Sequence, residues 1–435
     1  MRADSKKDTK ISRAKEMILA SEEKKEFSSE IFATISAKIK ADIGSAHADT
    51  ALEDITMGSL NLWSSDIHYE VREDDIIIRF RIDGILADVM VLSKQEYKLM
   101  LERLKYAAGL KLNLTDIPQD GKYSLKLSDK KIDVRVSILP TKYGENVVCR
   151  VLDASKAIID FDKLGFFWTS KRIIEKAINQ KSGMILVTGP TGSGKTTTLY
   201  TMLSKLNTRD KKMITIEDPV EYELPGVIQS EVDESKWFSF ASWLRAMLRQ
   251  DPDVIMVGEI RWSETLETAT AASLTGHLVL STLHTKSAAE TLDRLLNMGM
   301  KPYIMASALD TIIAQRLVRK LCDHCKLERD KTSIESQIIS DMMQEIGMKS
   351  ISVESLKLYK PGECDQCGHT WYKWRIGLFE IISLDDDIRE LIRSAAPVSK
   401  IIKSARNKDF ISMKEDWILK AMRGYTTIEE ILRVL

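Results

Sequence analysis

The sequence predicts an α/β protein built around a parallel sheet that carries a phosphate-binding loop. Three observations lead there. From about residue 156, short apolar stretches alternate with amphipathic helical ones. A glycine-rich segment ending Gly-Lys-Thr lies between one such strand and the helix after it. Two Cys-x-x-Cys pairs follow further on. Alternating strands and helices are the pattern of a parallel sheet covered on both faces.

The 435 residues make room for about three units of ordinary domain size. Hydrophobic residues at 44% and charged ones at 29% supply both a core and a charged surface. Lys plus Arg and Asp plus Glu are 64 each, which argues against one strongly basic face gripping nucleic acid. No apolar run approaches the roughly 18 residues of a membrane span. The polar stretch Met1 to Ser12 does not read as a secretory signal, so a cytoplasmic protein is expected.

Residues 1–50 are charged and helix-prone, with Ile31, Phe32, Ile35 and Ile39 at helical spacing after a frayed start. From 51 to 155 strands dominate. Asp66 to Val71 alternates in polarity, Ile76 to Ile82 is β-branched and stops at Asp83-Gly84, and Ile132–Val136 and Val147–Leu152 follow a helix carrying Tyr97, Met100, Leu101 and Leu104. This reads as a small α+β domain. From 156 to 321 come the strands Met184–Val187, Met213–Ile216, Val254–Val257 and Leu278–Ser281, with helices around Leu199–Leu206 and Phe240–Leu248. A cysteine-bearing segment (322–380) and a helical tail (381–435) complete the chain.

Gly189-Pro190-Thr191-Gly192-Ser193-Gly194-Lys195-Thr196 matches G-x-x-x-x-G-K-[ST] at a strand-to-helix turn. Glycines let backbone N–H groups converge on phosphate oxygens, and the helix N-terminus adds partial positive charge. Lys195 is expected on the β- and γ-phosphates and Thr196 on Mg²⁺. Two acidic strand ends lie on the same edge, where ligands of open parallel sheets bind. Glu259 is expected to order the attacking water or the hydrated metal, with Glu217 competing for that role. Gly258 stands where a metal-side aspartate is usual, so the cluster from Glu217 to Glu221 is expected to supply part of the metal's surroundings. His277 and His284 flank the strand Leu278–Ser281, each either hydrogen-bonding the γ-phosphate or serving the fold alone.

Cys322, Cys325, Cys364 and Cys367 form two pairs at a spacing suited to a tetrahedral, structural Zn²⁺. Free thiols are the alternative, and a disulfide is less suited to a reducing compartment. Ser333 to Met343 reads as a helix inserted between the pairs. His324 and His369 are secondary candidates for ligands. Cys149, alternating with Val147 and Val151, reads as a small buried hydrophobe. The cysteine segment is expected to stand apart from the motor, so that its loss would spare nucleotide binding.

The phosphate loop, Thr215 to Glu221, Leu248 to Asp253 with Gly258 to Arg261, and Thr275 to His284 resemble the Walker A, Asp box, Walker B and His box of the bacterial type II secretion and type IV pilus assembly ATPases. The resemblance runs from about Ser64 to the C-terminus and includes Gly424 to Glu430. It implies a RecA-like ATPase core, an N-terminal PAS-like domain at Asp66–His68 and Arg81–Gly84, and the four-cysteine zinc subdomain. It further implies ATP with Mg²⁺ and Zn²⁺, and nucleotide contacts from Gly189 through Thr197, with Asp218 and Arg81. Arg135 and Arg150 would reach the phosphates from the N-terminal domain, although their alternation also fits an exposed sheet face. A homo-hexamer on the cytoplasmic side of the inner membrane is implied, with a membrane platform protein and cytoplasmic pilus or secretion components as partners, and no nucleic acid. Trp262 stands where the family usually has Asp. About 50 residues precede the PAS-like module, so the family's larger additional N-terminal domain is not expected within this sequence. Either a truncated piece or a compact pilus-type member is expected. A pilus retraction motor is the nearest rival, but such members generally lack the four cysteines; a nucleic-acid motor of related fold is the other.

Overall fold

A computed structural model of the chain describes residues 29–44, 48–127, 130–153, 159–232, 240–346, 356–368, 370–406, 408 and 410–434.

 Residues 1–28, 45–47, 128–129, 154–158, 233–239, 347–355, 369, 407, 409 and 435 are the ones outside that description. The expected frayed start, the junction at 155–156 and His369 fall among them.

The first layer is helical. α1 (Ser29–Gly44) and α2 (Ala48–Asn61) precede the strands β1 (Ser64–Val71), β2 (Asp75–Ile82) and β3 (Ile85–Ser93). Then come α3 (Lys94–Ala107), β4 (Gln119–Leu127), β5 (Lys130–Thr141) and β6 (Gly144–Asp153). The six strands form one antiparallel sheet in the order β3-β2-β1-β6-β5-β4. Alternation puts Ile67, Tyr69, Ile78, Phe80, Val134 and Cys149 into its core, where α1 adds Phe32 and Ile39 and α2 adds Leu52 and Ile55. Tyr97, Met100 and Leu104 of α3 pack there too. Ser93 starts α3 through a capping box: its hydroxyl accepts from the Glu96 N–H, while the Glu96 carboxylate accepts from the Ser93 N–H at 2.7 Å. The boundary expected at residue 50 falls inside α2. A change in composition marks where strands begin to dominate, not where an element ends.

The second sheet holds the phosphate loop. After α4 (Trp168–Ile178) come β7 (Gly183–Thr188), α5 (Lys195–Leu206), β8 (Met213–Glu217), β9 (Ile228–Glu231), α6 (Phe240–Met247) and β10 (Val254–Val257). They are followed by α7 (Ser263–Leu274), β11 (Leu278–Leu283), α8 (Ala288–Asn297), α9 (Pro302–Ala308) and β12 (Leu309–Leu321). β13 (Leu327–Arg329) pairs with β14 (Leu358–Lys360) on either side of α10 (Ser333–Ile346), the helix expected between the cysteine pairs. β15 (Tyr372–Ser383) and the helices α11 (Asp386–Arg393), α12 (Val398–Arg406), α13 (Met413–Met422) and α14 (Ile428–Val434) end the described chain.

The order of the seven-stranded sheet is β15-β12-β7-β11-β10-β8-β9, all parallel except β15. Cores lie on both faces, which is why its inner strands read as unbroken apolar runs. β15 crosses the expected boundary at 380: it is an edge strand of this sheet, paired with β12 from Thr311↔Ser383 onward. Among the described residues, no helix is long and apolar enough to cross a membrane.

The C-terminal helices are tied to β15 by a buried ion pair. Lys420 on α13 is fully buried beside Asp416, donates to the Gly377 carbonyl at 2.6 Å, and lies over the Phe379 ring. Asp416 accepts from the Phe379 N–H at 2.9 Å. Removing one partner of such a pair strands the other charge away from water. Lys420→Met is therefore expected to destabilise the protein by about 3–5 kcal/mol in denaturant unfolding, while Lys420→Met combined with Asp416→Leu recovers much of that loss.

Candidate functional site

The phosphate loop has the geometry its glycines require. At Gly189, φ is +151° and a Cβ would lie 2.5 Å from both the Gln315 carbonyl oxygen and Ser193 Oγ. Gly194 (φ +85°) starts α5 without a side-chain cap, so the first-turn N–H groups of the helix are left to an anion. Ser193 Oγ is buried with no hydrogen-bond partner among the described residues. Uncapped amides and an orphaned hydroxyl on one turn are the donor set a phosphate group needs. Lys195 Nζ donates to the carbonyls of Gly189 at 2.9 Å and Pro190 at 3.1 Å, which folds the ammonium back onto its own loop. Burial pushes its pKa down, against the opposing pull of Glu259.

Glu259 follows β10, two strands from β7, and is held from two sides. His284 Nε2 lies 3.1 Å from Oε1, and Arg261 Nε donates to Oε2 at 3.0 Å. Arg261 also comes within 3.8 Å of Asp218. Each carboxylate oxygen of Glu259 keeps a lone pair for a further donor such as water. Glu217 has a different setting. It is buried, and it accepts from the Tyr200 hydroxyl, from Thr215 Oγ1 at 2.6 Å and from Gln229 Nε2 at 3.2 Å. Burial nevertheless pushes its pKa up. The structure thus leaves Glu259 partly exposed between His284 and Arg261 and ties Glu217 to α5 and β9. At Gly258, a Cβ would press on the Ile216 carbonyl at 3.2 Å, so the close packing of β10 on β8 leaves little room for the expected aspartate.

His277 is not brought to this edge. It precedes β11, where its carbonyl accepts from the Gly183 N–H at 3.2 Å and its Nδ1 lies 3.0 Å from the Ala272 carbonyl. Strand polarity puts it at the opposite end of the sheet from His284, a structural placement rather than a phosphate contact. The N-terminal arginines divide as well. Arg135 Nη2 donates to the Val220 carbonyl at 2.7 Å and its Nη1 meets Glu221 at 3.2 Å, so it touches the acidic loop after β8. Arg150 (3.0 Å) and Arg81 (3.7 Å) both turn to Asp66 instead of the phosphate loop. Asp66 lies on β1 of the same sheet, beside Arg150 on β6 and Arg81 on β2.

The four cysteines converge. All four Sγ atoms lie within 4.8 Å of one another, with Cys322–Cys364 and Cys364–Cys367 at 3.7 Å and Cys325–Cys367 at 3.9 Å. A tetrahedron of zinc–sulfur bonds about 2.3 Å long has edges of about 3.8 Å, so the donor set fits Zn²⁺. Its position departs from expectation. A cleft of about 540 Å³ is lined by Gly194, Thr197 and Gln315 of the motor sheet, by Asp153 of β6, and by Cys367 and Gly368. The Cys364–Cys367 turn is therefore a wall of the space beside the phosphate loop.

Sequence reasoning missed Gln315, Tyr200 and Gln229. Gln315 is buried on β12, and its Oε1 accepts from Thr198 Oγ1 at 2.8 Å. Its signal was present as one amide at the end of the apolar run Ile312-Ile313-Ala314. Tyr200 reads as a core residue of an amphipathic helix, and nothing local reveals its partner.

The profile of the family described as "Type II/IV secretion system protein" matches residues 44–433. Type II secretion system protein E of Aeromonas hydrophila is 42% identical over 371 residues, covering 85% of this chain and 72% of that protein. The type IV pilus assembly ATPase PilB of Pseudomonas aeruginosa is 43% identical over 396 residues, covering 90% and 69%. Among solved structures, the pilus retraction motor PilT with bound ADP aligns with a TM-score of 0.57 at 26% identity, over 87% of this chain and 95% of that one. The Legionella pneumophila ATPase DotB shares the fold with a TM-score of 0.63 at 21% identity, over 87% and 93%.

Two outcomes follow from this geometry. Tyr200→Phe removes a donor from the buried Glu217 and is expected to cost about 1–3 kcal/mol in denaturant unfolding. Cys364→Ser is expected to lower bound zinc from about one ion per chain and to weaken binding of a fluorescent ADP analogue, because the turn it disturbs lines the cleft beside Thr197.

Proposed function

The chain belongs to the type II/IV secretion system protein family, and on that premise we propose that it is an ATP-hydrolysing motor for assembly of a type IV pilus or a type II secretion pseudopilus. The observation that carries this reading is the shared sheet edge on which the phosphate loop, Glu259 and His284 meet. Lys195 and the first-turn N–H groups of α5 bind the phosphates, and Thr196 would hold Mg²⁺. The metal ion, when bound, neutralises phosphate charge. Glu259, oriented by His284 and Arg261, positions the attacking water and takes its proton. Glu217 supports the strand end through Tyr200 and Gln229. The tetracysteine turn holds structural Zn²⁺.

The motor acts as a homo-hexamer on the cytoplasmic face of the bacterial inner membrane, with a membrane platform protein and cytoplasmic pilus or secretion components as partners. The proposal includes the division into a helical lead-in, a PAS-like domain, a RecA-like ATPase domain, a zinc subdomain and a C-terminal helical part, with β15 assigned to the ATPase sheet. The likeness to PilT favours a second reading, pilus retraction. The identity to secretion protein E and PilB and the converged cysteines support assembly over it.

Lys195→Ala is expected to abolish ATP turnover by removing the phosphate counter-charge. Glu259→Gln should bind ATP yet slow hydrolysis by about 100-fold or more. Phosphate release and nucleotide affinity, measured side by side, check both. Wild-type turnover by Glu259→Gln would transfer the water-ordering role to Glu217.

A further inference from the structure

Just past the point where its pairing with β7 stops, β12 carries two polar residues that point to opposite sides of the sheet. The Gln315 side chain turns to α5 and takes the Thr198 hydroxyl. The next side chain, Arg316, turns the other way. Its Nη1 donates to the Gln315 carbonyl at 3.0 Å, and its Nη2 donates to the Lys286 carbonyl at 2.9 Å. The Gln315 carbonyl is the atom that a Cβ at Gly189 would strike, so one end of this fork lies against the root of the phosphate loop. Lys286 follows His284 by two residues, so the other end lies on the loop that carries the Glu259 partner.

Arg316 is half-buried, and both of these bonds go to main-chain carbonyls. Its charge is balanced at longer range by Glu290 and Glu380. Those two carboxylates hold the same loop: Glu290 accepts from the Lys286 N–H at 2.6 Å, and Glu380 accepts from the Ala288 N–H at 2.8 Å. Residues 284–288 are thus pinned from three sides, and Arg316 is the pin that joins them to the phosphate loop across β7. A planar guanidinium can serve two carbonyls at a fixed separation, whereas an ammonium on a flexible stem cannot do so with the same geometry.

We propose that Arg316 is a positioning residue for hydrolysis, fixing His284 against Glu259 relative to the phosphate loop. This rests on the hydrolytic reading above. It does not require Arg316 to touch the nucleotide, and it separates two functions on adjacent residues: Gln315 braces the loop that binds phosphate, and Arg316 braces the pair that handles water.

The experiment uses the full chain and compares wild type with Arg316→Met, Arg316→Lys, Glu259→Gln and the double variant Arg316→Met/Glu259→Gln. ATP turnover gives kcat and KM, and a fluorescent ADP analogue reports folding and nucleotide affinity. Arg316→Met is expected to lower kcat by about 100-fold while ADP affinity stays within about threefold of wild type. Arg316→Lys should fall between them. Because Arg316 acts through Glu259, the double variant should be no slower than Glu259→Gln alone. Unchanged kcat in Arg316→Met, a loss of ADP affinity that parallels the loss of kcat, or fully additive losses in the double variant would each overturn the inference. A wild-type chain without ATP turnover would overturn the hydrolytic reading itself, a distinct result from a turning-over wild type that is indifferent to Arg316.

Discussion

The site depends on the parallel register of three adjacent strands. Thr188 of β7 is level with Leu283 of β11 on one side and with Ala314 of β12 on the other. The next residues along, Gly189, His284 and Gln315, therefore emerge side by side, at strand spacings of about 4.8 Å. A shift of one residue in either pairing would turn His284 or Gln315 to the opposite face. The same edge continues through Val257↔Ser281 and Val257↔Ile216, which bring up Glu259 and then Glu217. Backbone hydrogen bonds, not side-chain attraction, assemble these groups.

The carboxylates of that edge are sorted by what their surroundings demand of them. Glu217 lies deepest and takes three donors, so its oxygens are occupied with holding α5, β8 and β9 together. Glu259 is partly open, with one nitrogen partner beside each oxygen. Two acids that look interchangeable in the chain are thus separated by burial and by the partners that burial makes obligatory. The same logic governs the arginines. Arg150 and Arg81 satisfy the nearly buried Asp66 within their own sheet, and only Arg135 crosses to the acidic loop after β8.

The cysteine segment joins this arrangement through the chain path. β12 runs from the floor of the phosphate loop directly to Cys322, and β15 returns beside it from the Cys364–Cys367 turn. Any ion holding the four sulfurs therefore fixes the outer ends of two neighbouring strands of the motor sheet. That is why Cys367 and Gly368 share a cleft with Gly194 and Thr197, a juxtaposition that the spacing of the cysteine pairs does not reveal.

Features set by local backbone were legible in the sequence. The phosphate loop needs glycine where φ is positive, each Cys-x-x-Cys is one turn, and the inner strands announce themselves as apolar runs because both faces are covered. The C-terminal ends of those runs also located Glu259, Glu217 and His284. What the chain could not disclose was decided by pairing between distant segments. β15 joins the sheet as an antiparallel edge, α2 continues through a change in composition, and His277 lies a strand's length, about 20 Å, from the edge that His284 occupies. Tyr200, Gln229, Gln315 and Arg316 acquire their roles only when β12, α5 and the loop after β11 are folded against one another. A hydrogen bond between residues 117 apart, such as Thr198 to Gln315, leaves no periodicity or spacing in either segment. Local sequence determined the elements and their reactive groups; long-range register decided which of those groups meet.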